Sequence, residues 1–148
     1  MKHKEIEGDL WEYHEKGYTI GITTNGDINS YGKAIMGKGI ALEAKKRFPK
    51  LPEYLAEKLR ISGNNVYHFP EFKLITIPIK THWWLKSSLE LIEKSCIQLR
   101  EIAFKDYILI PRLGCENGKL DWEKEVLPIV EKQLGADKRF IIVNRKHN

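Results

Sequence analysis

The chain has 148 residues, a formal net charge of +5 and a sequence pI near 9.1. With 42% hydrophobic residues it can fill one well-packed core but is short for two, so we expect a single domain over residues 1–148. The mildly basic net charge favours anionic ligands, but it fits a nucleotide and a nucleic acid equally well.

Three classes of protein are disfavoured. The N-terminus, "MKHKEIEGD", is charged and no apolar run follows it, so we expect no signal peptide. The clean apolar runs, such as "YILI" and "FIIV", have the length of strands, so we expect no membrane association. Cys96 and Cys115 lie outside any CxxC pattern and predict reduced thiols in a cytoplasmic protein, without a disulfide frame or a metal site.

Strand and helix patterns alternate along the first half of the chain. "YTIGITT" (Tyr18–Thr24) is rich in β-branched residues and predicts a buried strand. "IALEAKKRF" predicts a helix because Ile40, Ala44 and Phe48 share one face. A second, short helix is expected after Pro52, and "NNVYHF" and "KLITIPI" predict two strands.

The second half continues the alternation. Leu85–Ala103 repeats apolar residues at intervals of four and three and predicts a helix. "YILI" predicts a strand, and "WEKEVLPIVEKQL" predicts a helix capped by Asp121, in which Pro128 implies a kink or a late start. "RFIIV" closes the sheet. This order predicts the α/β class, as one α/β/α sandwich over a mostly parallel sheet.

Such sheets bind ligands at the carboxyl ends of their strands, where three candidate loops follow: Asn25–Gly39, Lys80–Trp84 and Pro111–Asp121. The first loop almost spells a Walker phosphate loop, but Gly39 stands where Ser or Thr would hold magnesium, and "YILIPRLG" lacks the partner aspartate. We therefore disfavour a triphosphatase. A loop for another phosphate and a glycine loop that merely turns the chain both stay open.

The third loop, "IPRLGCENGKLDW", also lies between a strand and a helix. Two glycine loops in this setting favour a pyrophosphate that is held from both sides. The pattern leaves the identity of the diphosphate open.

Five motifs together resemble a macro domain, the ADP-ribose-binding module: "GDL", "TTNG", "MGKGIALEAKKRFP", "IPIKTHWW" and "PRLGCENGKLDW". The resemblance is greatest to the branch of the terminal ADP-ribose glycohydrolase and of the antitoxins that strip ADP-ribose from DNA. It implies a three-layer α/β/α sandwich around a mixed, mostly parallel sheet. It also implies ADP-ribose as ligand, with neither cofactor nor metal.

The resemblance assigns ligand contacts residue by residue. Asp9 matches the carboxylate that accepts a hydrogen bond from the adenine amino group, and Asn25 matches the asparagine that faces the distal ribose. The first glycine loop wraps this ribose and one phosphate, and the second binds the pyrophosphate through backbone N–H groups. Relatives usually carry glycine where this chain has Glu116, whose carboxylate must point outward. The implied ligand-binding residues are Asp9, Leu10, Asn25, Gly37, Lys38, Gly39, Ile40, Gly114, Cys115, Glu116, Asn117 and Gly118.

Lys80 is the catalytic candidate. It follows an apolar strand, where a charged residue among apolar neighbours favours a chemical role; the alternative is a lysine at a strand end whose head merely reaches solvent. In the family branch the aligned lysine attacks or stabilises the anomeric carbon of the distal ribose, and a neutral amine could form a Schiff base with the opened sugar. The second-loop aspartate of the terminal glycohydrolase aligns with Gly118, so the DNA-directed antitoxins are the better template. Further candidates are His82, Trp83 and Asn144. His82 could donate a proton, but a lone histidine beside two tryptophans is more often a packing element. For Trp83, stacking on a base or sugar and burial against the sheet are equally favoured.

The resemblance leaves three functions open. The first is a hydrolase that removes ADP-ribose from DNA, RNA or protein, the second a non-catalytic ADP-ribose reader, and the third an ADP-ribose 1″-phosphate phosphatase. A monomer is expected in each case.

Overall fold

The structure is a computed structural model that describes residues 4–117 and 119–145. Strands and helices alternate along these residues. In chain order they are β1 (Lys4–Gly8), α1 (Leu10–Glu15), β2 (Thr19–Asn25), α2 (Gly39–Arg47), α3 (Leu51–Ser62), β3 (Tyr67–Phe69), β4 (Leu74–Lys80), α4 (Leu89–Arg100), β5 (Ile108–Ile110), α5 (Leu127–Leu134) and β6 (Phe140–Arg145). None of these helices is long and apolar enough to cross a bilayer.

The strands form one sheet in the order β1-β6-β5-β2-β4-β3. Neighbouring strands are parallel except β3, which pairs antiparallel with β4 at the edge. Helices α1, α2 and α3 pack on one face, and α4 and α5 pack on the other. The predicted three-layer α/β/α fold with a mixed, mostly parallel sheet is confirmed.

The side chains of the central strand β5 alternate between two hydrophobic clusters, one on each face of the sheet. Ile108 and Ile110 of β5 pack in the core under α4 and α5, whereas Leu109 packs in the core under α1 to α3. In β4, Leu74 to Ile79 are all buried, because a parallel strand covered on both faces carries apolar residues without alternation.

The structure differs from the predictions at the β1–α1 segment and at helix α4. The β1–α1 segment was not predicted, because its charges conceal the apolar residues Ile6, Leu10 and Trp11 that pack in the core. Helix α4 is shorter than the predicted Leu85–Ala103, since the Ser88 hydroxyl caps it by accepting a hydrogen bond from the Leu91 amide.

Pro128 gives the predicted late start of the last helix. Asp121 is the predicted cap, with its carboxylate accepting from the Lys124 amide at 2.9 Å. A π-helical turn over Trp122–Val126 then precedes α5, in which Pro128 occupies the first turn. Because proline lacks an N–H, the first turn of α5 is where its missing donor costs least.

Candidate active site

A cavity of about 640 Å³ opens at the carboxyl edge of the sheet. The ends of the parallel strands all contribute to its lining, through Gly8, Asn25, Lys80, Pro111 and Arg145. All three loops that the sequence singled out border this cavity. The topology therefore collects them at one edge, as expected for an open α/β sheet.

Most of the candidate residues line the cavity. They are Leu10, Asn25, Gly37, Lys38, Gly39, Ile40, Lys80, Trp83, Gly114, Cys115, Glu116, Asn117 and Asn144. Two candidates are not part of the lining: Asp9, which caps α1 by accepting from the Trp11 amide at 2.9 Å, and His82, which pairs with Asp27. Gly118 lies outside the described residues.

Lys80 lies at the end of β4, where the strand register shifts. Thr24 pairs with Pro78 and Asn25 pairs with Lys80, so β4 carries one extra residue immediately before the lysine. Such a bulge re-aims the side chain that follows it. The Asn64 amide donates to the Lys80 carbonyl at 3.1 Å, and the Lys80 Nζ donates to the Asn117 carbonyl at 3.4 Å.

The environment of Lys80 disfavours its charged form. Burial lowers the pKa of its amine, and the positive charges of Lys38 and Lys119 lower it further. A lowered pKa increases the neutral fraction of this cavity-lining amine, and the neutral form is the one that acts as a nucleophile.

Asn25 shapes the first glycine loop from the end of β2. Its Nδ2 donates to the Ile35 carbonyl at 3.1 Å, and its Oδ1 accepts from the Asp27 amide at 2.9 Å. These bonds fold residues 25–37 back on themselves. A Cβ built on Gly37 would have no other atom within 4 Å, so this glycine borders open space.

The two glycine loops approach each other at Gly39. This residue has a left-handed φ of +55°, and a Cβ on it would lie 2.6 Å from the Asn117 Nδ2. Gly114 also has a positive φ, +74°, and packs against Ile92, Ser87 and Leu120. Gly39 and Gly114 are therefore required by the fold, whatever the ligand.

The side chains of Cys115 and Glu116 in the second glycine loop are not suited to act as nucleophiles or phosphate ligands. Burial raises the pKa of the Cys115 thiol to about 11, which makes it a poor nucleophile at neutral pH. Glu116 is exposed on the cavity rim, consistent with the outward orientation that a nearby pyrophosphate requires.

The sequence reasoning missed three residues at this edge. Arg112 forms two hydrogen bonds to Glu5, at 2.6 and 3.3 Å, and Arg145 forms one to Glu43 at 2.6 Å. Both arginines line the cavity. The available signal was that Arg112 lies two residues after β5 and Arg145 ends β6.

Asp27 is the third missed residue, and it joins two of the loops. One carboxylate oxygen lies 2.7 Å from the His82 Nδ1, and the other accepts from the Trp83 amide at 2.8 Å. No local pattern marks this contact, because the partners are 55 and 56 residues away in sequence.

No protein-family model matches the sequence. Comparison with individual known proteins does identify relatives of the chain. The DNA ADP-ribosyl glycohydrolase of Mycobacterium tuberculosis is 33% identical over 110 residues, which cover 65% of this chain and 30% of the relative. That of Thermus aquaticus is 28% identical over 122 residues, covering 74% and 33%. The chain thus spans about a third of the length of these curated relatives.

Solved structures match along the full chain. The macrodomain of Mycobacterium tuberculosis DarG has a TM-score of 0.72 at 25% identity and covers 100% of this chain and 99% of its own. Thermosipho africanus DarTG in complex with ADP-ribose has a TM-score of 0.74 at 21% identity and covers 96% and 41%. The chain is therefore a macro domain, distantly related to the DNA ADP-ribosyl glycohydrolases.

Proposed function

We propose that the cavity binds ADP-ribose and that the chain is a hydrolase that releases ADP-ribose from an ADP-ribosylated acceptor. The proposal rests on Lys80, which lines a cavity bordered by two glycine loops and whose amine has a lowered pKa. The names of the curated relatives support cleavage of a glycosidic bond rather than binding alone.

The first turn of α2 is suited to bind a phosphate. Asp9 and Ser88 cap α1 and α4, but among the described residues no side chain caps the first turn of α2. This turn begins at Gly39 on the cavity wall, so its unpaired N–H groups are available to an anion. In our proposal it holds one phosphate and the Gly114–Asn117 segment holds the other.

The remaining contacts follow from this phosphate position. The distal ribose lies between Asn25 and Lys80, and the adenine lies toward Asp9, Leu10 and Arg145 at the other end. Asp9 can accept from the base with the carboxylate oxygen that does not cap α1.

The reaction needs a neutral amine at Lys80. Its nitrogen attacks the anomeric carbon, and the bond to the acceptor breaks with its electron pair going to the acceptor, which takes up a proton. Opening of the sugar ring gives a Schiff base. Water then hydrolyses this adduct, which releases ADP-ribose and restores the amine.

Product analysis tests the proposal. Wild type and Lys80→Ala are incubated separately with ADP-ribosylated DNA, ADP-ribosylated protein and ADP-ribose 1″-phosphate. We expect ADP-ribose to be released from at least one macromolecular substrate and turnover to fall about a hundredfold or more in Lys80→Ala, as for loss of a positioned catalytic group.

Calorimetry with free ADP-ribose is the control, and Lys80→Ala should retain most of the affinity. If wild type binds ADP-ribose but is inert on all three substrates, the hydrolase is wrong and the protein is a reader. Release of phosphate from ADP-ribose 1″-phosphate alone would identify a phosphatase.

A further inference from the structure

A groove of about 460 Å³ lies where α2 ends and α3 begins, apart from the cavity at the carboxyl edge. Glu71 and Phe72, which precede β4, form its other wall. Helix α2 begins at the cavity with Gly39 and ends beside the groove with Arg47, so the groove is at the amino edge of the sheet. The groove shares no residue with the cavity and is lined by Arg47, Phe48, Pro49, Lys50, Tyr54, Glu71 and Phe72.

Three aromatic rings form the apolar part of the groove. The Phe72 ring contacts both of the others, with its centroid 5.0 Å from that of Phe48 and 5.8 Å from that of Tyr54. His14 holds this arrangement, because its Nε2 lies 2.8 Å from the Phe72 carbonyl oxygen and its ring contacts the Phe48 ring. Since the rings already pack on one another, the groove offers a recess for an apolar side chain and not an open face for stacking.

Positive charge surrounds the three rings. Residues 45–47, Lys-Lys-Arg, are exposed at the end of α2, and Lys50 is exposed between α2 and α3. Arg47 lies 3.6 Å from Glu15, but none of the three lysines forms an ion pair with a carboxylate of residues 4–117 and 119–145. Residues 45–47 and Lys50, which we call the basic corner, therefore carry uncompensated charge beside the recess.

Lys50 is the residue of the basic corner that helix formation does not explain. Basic residues at the end of α2 are favoured by the dipole of that helix. Lys50, however, occupies the N-cap of α3, where Ser, Thr, Asp and Asn are preferred and where a positive charge opposes the dipole. Residues that contradict a local preference are expected where a function compensates for them. The position of Lys50 therefore points to an anionic partner.

We propose that this groove binds an acidic peptide segment of a partner protein. The carboxylates of the segment pair with the basic corner, and one of its apolar side chains enters the recess beside Tyr54 and Phe72. Nucleic acid fits less well, because the rings offer no open face to a base and Glu71 repels a phosphate backbone. A lipid surface fits less well because the rings line a recess and do not project from it. The proposal does not depend on the proposed function.

Fluorescence anisotropy with synthetic peptides tests the groove. The probes are labelled octapeptides of Asp and Glu whose two central positions carry Leu, Ile, Phe or Trp in every combination. We expect at least one probe to bind, and its affinity to be lost when Lys replaces the acidic residues or Ser replaces the central pair. Absence of binding by the whole set overturns the proposal.

A charge reversal at the basic corner tests the ionic contacts. Lys50→Glu should weaken binding of the best probe about tenfold or more, because it replaces attraction by repulsion. An acidic residue suits the N-terminus of α3, so the variant should keep at least the wild-type Tm. Lys58→Glu is the matched control, since Lys58 is also exposed and on α3 but does not line the groove. Equal losses in the two variants would indicate only a nonspecific effect of net charge and would overturn the site.

Truncation of an aromatic ring tests the recess. Tyr54→Ala should weaken the same probe about fivefold or more, as aromatic residues at the centre of an interface commonly do. Tyr54 is 38% exposed, and Tyr31, which is 85% exposed and outside the groove, supplies the control Tyr31→Ala. Thermal unfolding shows whether each variant is folded. Unchanged affinity in a folded Tyr54→Ala would overturn the apolar contact.

Competition separates the groove from the cavity and from other anionic partners. Saturating ADP-ribose should leave the affinity for the peptide unchanged, and displacement of the peptide would place it in the cavity and overturn the proposal. Labelled single-stranded DNA and phosphatidylserine vesicles should bind more weakly than the best peptide. Tighter binding of either one, with the same loss in Lys50→Glu, would identify a different class of partner and overturn the peptide site.

Discussion

At the scale of single residues, burial and two neighbouring lysines lower the pKa of Lys80. Burial and the charges of Lys38 and Lys119 lower the pKa of its amine, so more of it is neutral at a given pH. We expect kcat to rise with pH through a midpoint below the usual lysine range. Lys119→Ala removes a like charge, which raises the pKa of Lys80 and should move the midpoint upward.

A kcat–pH profile measures this shift, with Lys138→Ala as the control for a lost surface charge. A midpoint that is unchanged in Lys119→Ala would show that ionisation of Lys80 does not limit the rate.

Substitutions at the glycines of the two loops are not equally good tests of phosphate binding, because some of them also strain the backbone. The sequence predicts that Val at Gly39 or Gly118 blocks the diphosphate. Gly118 lies outside the described residues. Gly39 has a left-handed φ, and a Cβ on it would displace the Asn117 side-chain amide. Substitution at Gly39 therefore strains the backbone as well as the ligand site.

Gly37 gives the cleaner test, because a Cβ there meets no neighbouring atom. We expect Gly37→Val to weaken ADP-ribose binding about tenfold or more by displacing charge-assisted hydrogen bonds to a phosphate. Gly37→Ala should have a smaller effect, and both variants should keep the wild-type Tm. Calorimetry and thermal unfolding measure the two quantities, and unchanged affinity in Gly37→Val would mean that the phosphates bind elsewhere.

At the scale of elements, the end of β4 determines where Lys80 lies. The register shift opposite Asn25 leaves the Lys80 carbonyl to accept from Asn64. Loss of such a hydrogen bond costs about 1 kcal/mol and frees the bulge to move. We expect Asn64→Ala to lower kcat about tenfold with little change in ADP-ribose affinity, since a small displacement of a catalytic group reduces the rate strongly.

Asn65→Ala is the control, because Asn65 bonds to the Ser62 carbonyl and to Gln98 instead of Lys80. Equal losses of kcat in the two variants would point to a general effect of this turn and not to positioning of the lysine.

Predictability from sequence also differs between elements. The helix after Asp121 was predictable in detail, since a cap residue and a proline act locally. The β1–α1 segment was not, because its apolar residues are too few to show a period, and it is stabilised by pairing of β1 with β6 at the far end of the chain.

At the scale of the whole molecule, the parallel sheet brings distant motifs to one edge. The two glycine loops and Lys80 could be assigned to this edge from the sequence, because each directly follows a predicted strand. The contacts of Asp27, Arg112 and Arg145 could not, since their partners are more than 50 residues away and no local pattern records such pairs.

Borohydride reduction during turnover tests whether Lys80 bonds covalently to the sugar. Peptide mass spectrometry should find a reduced ADP-ribose adduct on Lys80 in wild type and none in Lys80→Ala. Lys80→Arg should be nearly inactive, because arginine keeps its proton and cannot supply a neutral amine. Substantial turnover by Lys80→Arg, together with no adduct on the wild type, would contradict the nucleophilic role of Lys80.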